Sequence, residues 1–259
     1  MNSRERIKAA EKSLAKEFEI IEDIRDYNQE KVLNAFVENK VAPEHFYTVS
    51  GYGHDDLGRE VLDKVFADVF KAEKAIARVH FASGTHTLAC CLFGNLRPGN
   101  KLISAAGSPY DTMQEVIGTA GDEETKEDSL IAHGIIYDEV PLKNNDVDYQ
   151  KLEEMIDETV TMVLIQRSKG YSTRKSLTVD DIEKICKIVK SKNPNCICFV
   201  DNCYGEFVDS REPLEAGADL IAGSLIKIPR RNCRSRRLYC RQAKYVDKSA
   251  NRLTAPGIG

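Results

Sequence analysis

Short, almost continuously apolar segments recur along this 259-residue chain, and they limit its possible fold more than any other feature. The clearest are residues 162–165 and 196–200, each too short for a buried helix. A strand that is apolar at every position must be buried on both faces, which happens when helices cover both sides of a parallel sheet. The pattern therefore predicts an α/β protein.

Strand and helix patterns alternate from residue 75 onward. Strands are predicted at residues 75–81, 101–104, 130–137, 162–166, 197–201 and 220–223, and helices at residues 85–93, 110–118, 149–156 and 179–190. Apolar residues recur at helical spacing over residues 4–40, before and after residues 26–28, which predicts two further helices. We therefore expect an N-terminal helical arm, residues 1–48, and a large domain, residues 49–259, built on a mostly parallel, helix-covered sheet.

Composition excludes several classes of protein. A net charge of −4 argues against nucleic acid as the main partner. The chain has neither the apolar core of a signal peptide near its start nor a run of ~20 apolar residues, so we expect a cytoplasmic protein without a membrane span. Its eight cysteines lie mostly in apolar runs without the spacing of disulfide scaffolds or zinc sites, which predicts reduced thiols and no metal.

An acid and a lysine follow two of the predicted strands. Asp201 ends the strand at residues 197–201, and Lys227 comes shortly after the strand at residues 220–223. Pyridoxal 5'-phosphate (PLP) needs an amine for covalent attachment and an anion that keeps its pyridine nitrogen protonated. Ligands of such sheets bind beyond the carboxyl ends of the strands, so the pair suggests a PLP enzyme. A surface lysine and a helix N-cap aspartate remain alternatives.

Two further segments lie at strand-to-helix junctions. Ser83-Gly84-Thr85 consists of small residues, which let backbone N–H groups and a helix N-terminus approach a phosphate, although so short a motif is weak alone. Tyr110 opens another predicted helix, where its ring could stack on a cofactor or pack in the core. His54 and His86 have no partner pattern, and we interpret them as structural.

These residues belong to longer motifs, at residues 51–59, 83–86, 109–112, 166–172, 201–206 and 223–227. In this order the motifs resemble the methionine gamma-lyase-like proteins linked to aluminium resistance. That group belongs to the fold-type-I PLP enzymes related to cystathionine beta-lyase. The resemblance covers nearly the whole chain.

The resemblance implies a role for each candidate residue. Lys227 is then the lysine that holds the cofactor as a Schiff base, Asp201 the partner of the pyridinium nitrogen and Tyr110 the aromatic that stacks on the ring. The implied phosphate ligands are Gly84, Thr85 and Ser224. The implied reaction is elimination of a thiol from a sulfur-containing amino acid of the cystathionine, methionine or cysteine type. Alternatives are another PLP reaction, such as amino transfer or decarboxylation, or PLP binding without catalysis.

The resemblance also implies a homodimer or homotetramer with active sites at subunit interfaces. Tyr52 would then reach the phosphate bound to a neighbouring subunit. The related lyases carry an arginine two residues after this tyrosine, where the present chain has His54. Arg59 is a candidate substitute.

Two departures from the family pattern concern the end of the chain. Residues 230–241 contain six arginines where related lyases have a glycine-rich stretch. A one-base change of reading frame, with suitable codons, would restore those glycines, so we expect a local frameshift within residues 228–242; a phosphate- or nucleic-acid-binding patch is the competing interpretation. The chain also stops before the smaller C-terminal domain, which in this fold usually supplies an arginine for the substrate carboxylate. We therefore expect a truncated large domain that does not complete a substrate site.

Overall fold

The computed structural model describes residues 2–49, 56–225, 236–240 and 243–256, with residues 236–240 described by their backbone. The helices are α1 Ser3–Ser13, α2 Ala15–Glu38, α3 Leu57–Phe70, α4 Gly84–Asn95, α5 Asp111–Ile117, α6 Glu123–Glu127, α7 Tyr149–Met155, α8 Val179–Lys192 and α9 Ala243–Leu253, with a short 3-10 helix at Pro43–Phe46. The strands are β1 Lys74–Arg78, β2 Lys101–Ser104, β3 Ile136–Glu139, β4 Val160–Gln166, β5 Ile197–Asp201, β6 Leu220–Ser224 and β7 Arg236–Cys240.

The strands form one sheet in the order β1-β7-β6-β5-β4-β2-β3. The five strands from β6 to β3 are parallel to one another, and β7 runs antiparallel to both of its neighbours, β1 and β6. The structure therefore confirms the predicted α/β fold with a mostly parallel sheet. Gln166 and Asp201, the last residues of β4 and β5, lie side by side in the register.

Alternate residues of the central strands pack on opposite faces of the sheet. On β4, Met162 and Leu164 join a core that includes residues of α4 and α9, whereas Val163 and Ile165 join a core that includes residues of α3 and α8. This is the two-residue period of a strand, with both sets buried. The apolar segments identified in the sequence are therefore the centre of the protein, as predicted.

Two N-terminal helices are present, α1 and α2, but the expected break at residues 26–28 is wrong, because α2 runs through it and the chain divides at Leu14. The second half of α2 docks on the loop that follows β5: the side-chain amide of Asn28 donates to the carbonyl of Asp209 (2.9 Å), and Lys31 Nζ lies 3.3 Å from Glu212 Oε1. Both of the latter side chains are largely buried. This contact fixes one end of the arm against the loop beyond Asp201.

The predicted strand at residues 130–137 is wrong over most of its length. Only Ile136–Glu139 pairs with the sheet. The backbone of Leu130 instead donates to the carbonyl of Val116 at the end of α5, and Gly134 turns the chain with a φ of +80°. Leu130 and Ile135 are thus buried by a turn rather than by strand pairing. The helices α6 and α9 and the strand β7 had not been predicted.

The sequence also led to expectations about the cysteines and about membrane-spanning helices. The six cysteines whose side chains are described are buried, and each is a free thiol. Among the helices of these ranges, none combines the length and the apolar character needed to cross a membrane.

Candidate active site

A cleft of about 580 Å³ lies beyond the carboxyl ends of the central strands. It contains three residues singled out from the sequence, namely Thr85, Tyr110 and Asp201. The other lining residues are Asp111, Thr112, Ser168, Lys169, Gly170, Tyr171, Ser176 and Tyr204. Residues from four separate strand-to-loop junctions therefore meet in one place, as expected for a parallel sheet.

Asp201 is the acidic group at the base of this cleft. It is the last residue of β5 and only 3% exposed, and its Oδ1 accepts a hydrogen bond from the backbone N–H of Cys203 (3.0 Å). Turns rather than a helix follow it, so the alternative of a helix N-cap is wrong, although the carboxylate does stabilise the turn. A buried carboxylate at this position can stabilise a cationic ring nitrogen.

Tyr110 lies at the N-cap position of α5, and its hydroxyl is 3.1 Å from Thr85 Oγ1. Burial is the main cause that raises its pKa well above the ordinary value, and the negative charge of Asp201 raises it further. The phenol therefore keeps its proton at neutral pH. It is a hydrogen-bond donor with an aromatic face in the cleft.

Ser224 and Gly84 are neighbours at the ends of β6 and of the loop before α4. A Cβ atom placed on Gly84 would lie 3.6 Å from Ser224 Cβ. Ser224 is 0% exposed, and its hydroxyl has no hydrogen-bond partner among the described residues. A buried hydroxyl without a partner is costly, which suggests that it contacts a ligand.

The N-terminus of α4 adds further donors beside this hydroxyl. Ser83 caps the helix by accepting from the N–H of His86 (2.9 Å). Within the described ranges, the backbone N–H groups of Gly84 and Thr85 make no hydrogen bond. Unpaired N–H groups at a helix N-terminus attract anions. Together with Ser224 they fit a phosphate group.

The turn after Asp201 is held by a buried arginine that had no assigned role. Arg167 Nη1 donates to Asn202 Oδ1 (2.9 Å) and to the carbonyl of Gly205 (2.7 Å). Burial lowers the pKa of Arg167, and the nearby carboxyl of Glu212 opposes that shift. The sequence contained this residue in a motif, but no pattern indicated which backbone groups it would contact.

The remaining candidates are Lys227, Tyr52 and His54, which lie outside the described residues. Arg59, the proposed substitute near Tyr52, forms an ion pair with Asp56 at 2.9 Å. His86 has a structural contact, because its Nδ1 accepts from the N–H of Ala82 (3.0 Å).

Comparisons with known proteins agree with the fold. Residues 3–259 match the family profile described as methionine gamma-lyase. The uncharacterized protein YnbB of Bacillus subtilis is 42% identical over 241 residues, which are 92% of this chain and 57% of that protein. A Listeria innocua structure, provisionally named a cystathionine beta-lyase involved in aluminum resistance, is 44% identical with a TM-score of 0.94, covering 100% of this chain and 64% of that one.

A carbon-sulfur lyase involved in aluminum resistance from Clostridium novyi NT is 43% identical with a TM-score of 0.88, covering 97% of this chain and 60% of that one. The chain thus spans about 60% of the length of these relatives. A more distant structure, the methionine gamma lyase CalE6 of Micromonospora echinospora, shares the fold at 21% identity and a TM-score of 0.57. The architecture is that of the fold-type-I enzymes, and the chain belongs to the methionine gamma-lyase family.

Proposed function

We propose that this chain is the PLP-binding large domain of a carbon–sulfur lyase that acts on a sulfur-containing amino acid of the cystathionine, methionine or cysteine type. The observation that carries the proposal is the buried Ser224 hydroxyl, which lacks a described partner, beside the unpaired N–H groups of α4. The name of the Clostridium novyi relative supports the same reaction class. We further propose that the protein acts as a homodimer or homotetramer.

The phosphate of the cofactor would be held mainly by neutral donors. A Cβ atom placed on Gly84 would lie 3.9 Å from Ser224 Oγ, and the next residue, Thr85, lines the cleft. An anion bound there also gains from the dipole of α4, a helix of 12 residues. We assign these three residues as the phosphate ligands.

PLP, when bound, supplies a ring that withdraws electrons from the Cα of an amino acid. Asp201 would hold a proton on the ring nitrogen, because its buried carboxylate favours a cationic neighbour. Tyr110 would stack on the ring and donate its hydroxyl proton in a hydrogen bond, since its raised pKa keeps it neutral. Lys227 would hold the cofactor and move the Cα proton. Tyr52 would reach the phosphate of a neighbouring subunit.

An assay of products distinguishes this proposal from other reactions. Purified protein with PLP would be incubated with cystathionine, methionine or cysteine, and thiol and keto acid would be measured. Release of both supports the lyase. In a parallel incubation with an added keto acid, transfer of the amino group to it would instead identify an aminotransferase. Release of carbon dioxide would identify a decarboxylase. Cofactor binding without any turnover would contradict catalysis by this chain and leave a binding domain.

A further inference from the structure

Gln166, the last residue of β4, lies just before the loop that lines the cleft, and its side chain connects the sheet to Tyr110. We infer that Gln166 is a positioning residue that sets the placement of the Tyr110 ring for cofactor binding, with Arg174 holding the loop around it. The effect of Gln166 on cofactor binding rests on the proposed function. The contact itself is a property of the protein alone.

Gln166 bridges two segments of the cleft with its side-chain amide. It is the last residue of β4 and 5% exposed. Its Oε1 accepts from the backbone N–H of Tyr110 (2.8 Å), and its Nε2 donates to the carbonyl of Ser168 (3.0 Å). Both hydrogen bonds are partly buried. Because Gln166 itself is buried, losing either bond leaves one of its polar atoms poorly satisfied.

The sheet fixes where this bridge begins. Gln166 pairs in register with Asp201 on the neighbouring strand β5, at the centre of the buried sheet. The N–H of Tyr110 is therefore tied through one side chain to the strand pair that also carries the candidate partner of the ring nitrogen. The opposite end of Tyr110, its hydroxyl, is held by Thr85 at 3.1 Å. Both ends of the aromatic residue are thus fixed.

Gly170 brings the same loop back against Tyr110. It has a φ of +57°, which favours glycine, and an added Cβ would lie 3.2 Å from Gln166 Nε2 and 3.5 Å from Tyr110 Cβ. The loop therefore packs directly on both residues. A side chain at this position would strain the backbone and press on the amide of Gln166.

Arg174 holds the loop in this path. It is 3% exposed, and its guanidinium donates to the carbonyls of Gln166 (2.7 Å), Ser168 (2.6 Å) and Lys175 (2.7 Å). Among the described residues no carboxylate forms an ion pair with it. A buried arginine whose observed bonds all go to the backbone of one loop fixes that loop rather than a charged ligand.

The first experiment measures amide hydrogen exchange at Tyr110 without any cofactor. Gln166→Leu removes the acceptor and should lower protection of the Tyr110 amide about tenfold, whereas Gln166→Glu keeps an acceptor oxygen and should retain most of the protection. Gln150→Leu, on the exposed face of α7, serves as the matched control. Equal protection in Gln166→Leu and the wild type would overturn the inference.

The second experiment measures the dissociation constant of PLP in a double-mutant cycle. Gln166→Leu should weaken PLP binding about tenfold in the wild-type background and have little further effect in a Tyr110→Ala background, since it acts through that residue. Equal effects in both backgrounds would contradict positioning. If the wild type does not bind PLP, the proposed function fails, but the exchange measurement still tests the contact.

Arg174→Lys keeps the inference testable if Gln166→Leu does not fold. A lysine keeps the charge but cannot hold three carbonyls in one plane. It should lower Tyr110 amide protection and weaken PLP binding in the same direction. Unchanged values for both would count against the proposed role of the loop.

Discussion

The burial of Glu212 predicts how the free energy of unfolding changes with pH. It lies in the loop after β5, is 1% exposed, and pairs with Lys31 of the N-terminal arm through Oε1. Its Oε2 has no hydrogen-bond partner within the described ranges. Burial raises the pKa of Glu212 from 4.5 to about 7, against the opposing charges of Lys31 and Arg167.

The sign of the pH effect follows from this raised pKa. The folded protein holds the Glu212 proton up to a pH of about 7, whereas the unfolded chain releases it near 4.5. The stabilising contribution is therefore complete below pH 4.5 and disappears as the pH rises through about 7. A difference of about 2.5 pKa units at 1.36 kcal/mol each corresponds to about 3 kcal/mol in the free energy of unfolding.

Urea denaturation of the wild type and Glu212→Gln between pH 5 and pH 8 measures this contribution, because glutamine has the same shape and no proton to lose. We expect the wild type to lose about 2–3 kcal/mol relative to the variant over this range. Glu158→Gln gives the baseline for removing one exposed carboxylate. A difference between wild type and Glu212→Gln that stays constant with pH, or that changes with the opposite sign, would refute the reasoning.

Three further predictions concern the cleft and the arm. Ser224→Ala should raise the dissociation constant of PLP about tenfold but leave that of pyridoxal unchanged; equal effects on both ligands would exclude a phosphate contact. Asp201→Ala should keep the visible absorption of the bound cofactor yet lower thiol release at least about a hundredfold, and wild-type rates would contradict its role. Asn28→Ala should lower the free energy of unfolding by about 1–2 kcal/mol, because its amide bonds the loop carbonyl of Asp209. The exposed Asn34→Ala on the same helix should change it little, and an equal loss in both variants would show that this bond does not stabilise the arm.

The sequence predicted the parts of the site that follow from the geometry of parallel sheets. The carboxyl ends of parallel strands meet at one edge of the sheet. Three cleft residues lie at or beyond the ends of different strands, namely Asp201, Tyr110 and Thr85. Apolar strands without alternation likewise required helices on both faces. The position of the cleft and the helices on both faces can be inferred from the direction and the burial of the strands alone. The division between arm and large domain at residues 48 and 49 stays a prediction.

Other features depend on contacts that local sequence does not contain. The bonds of Arg174 and Gln166 exist only because the loop after β4 folds back on Tyr110. The apolar segment that begins at Leu130 packs as a turn against the end of α5, although its composition favours a strand. The backbone of β7 pairs with β1 and β6 within a run of arginines that has no strand pattern. In all three places the conformation is set by contacts between segments that are distant in the sequence.

The central claim is that this chain binds PLP through Lys227. Borohydride reduction of the protein with PLP, followed by peptide mapping with mass spectrometry, locates any covalent attachment. We expect the pyridoxyl group on Lys227, and we expect it to be lost in Lys227→Ala but retained in Lys187→Ala, which changes an exposed lysine of α8. Modification of another lysine such as Lys169, or no modification at all, would contradict the account.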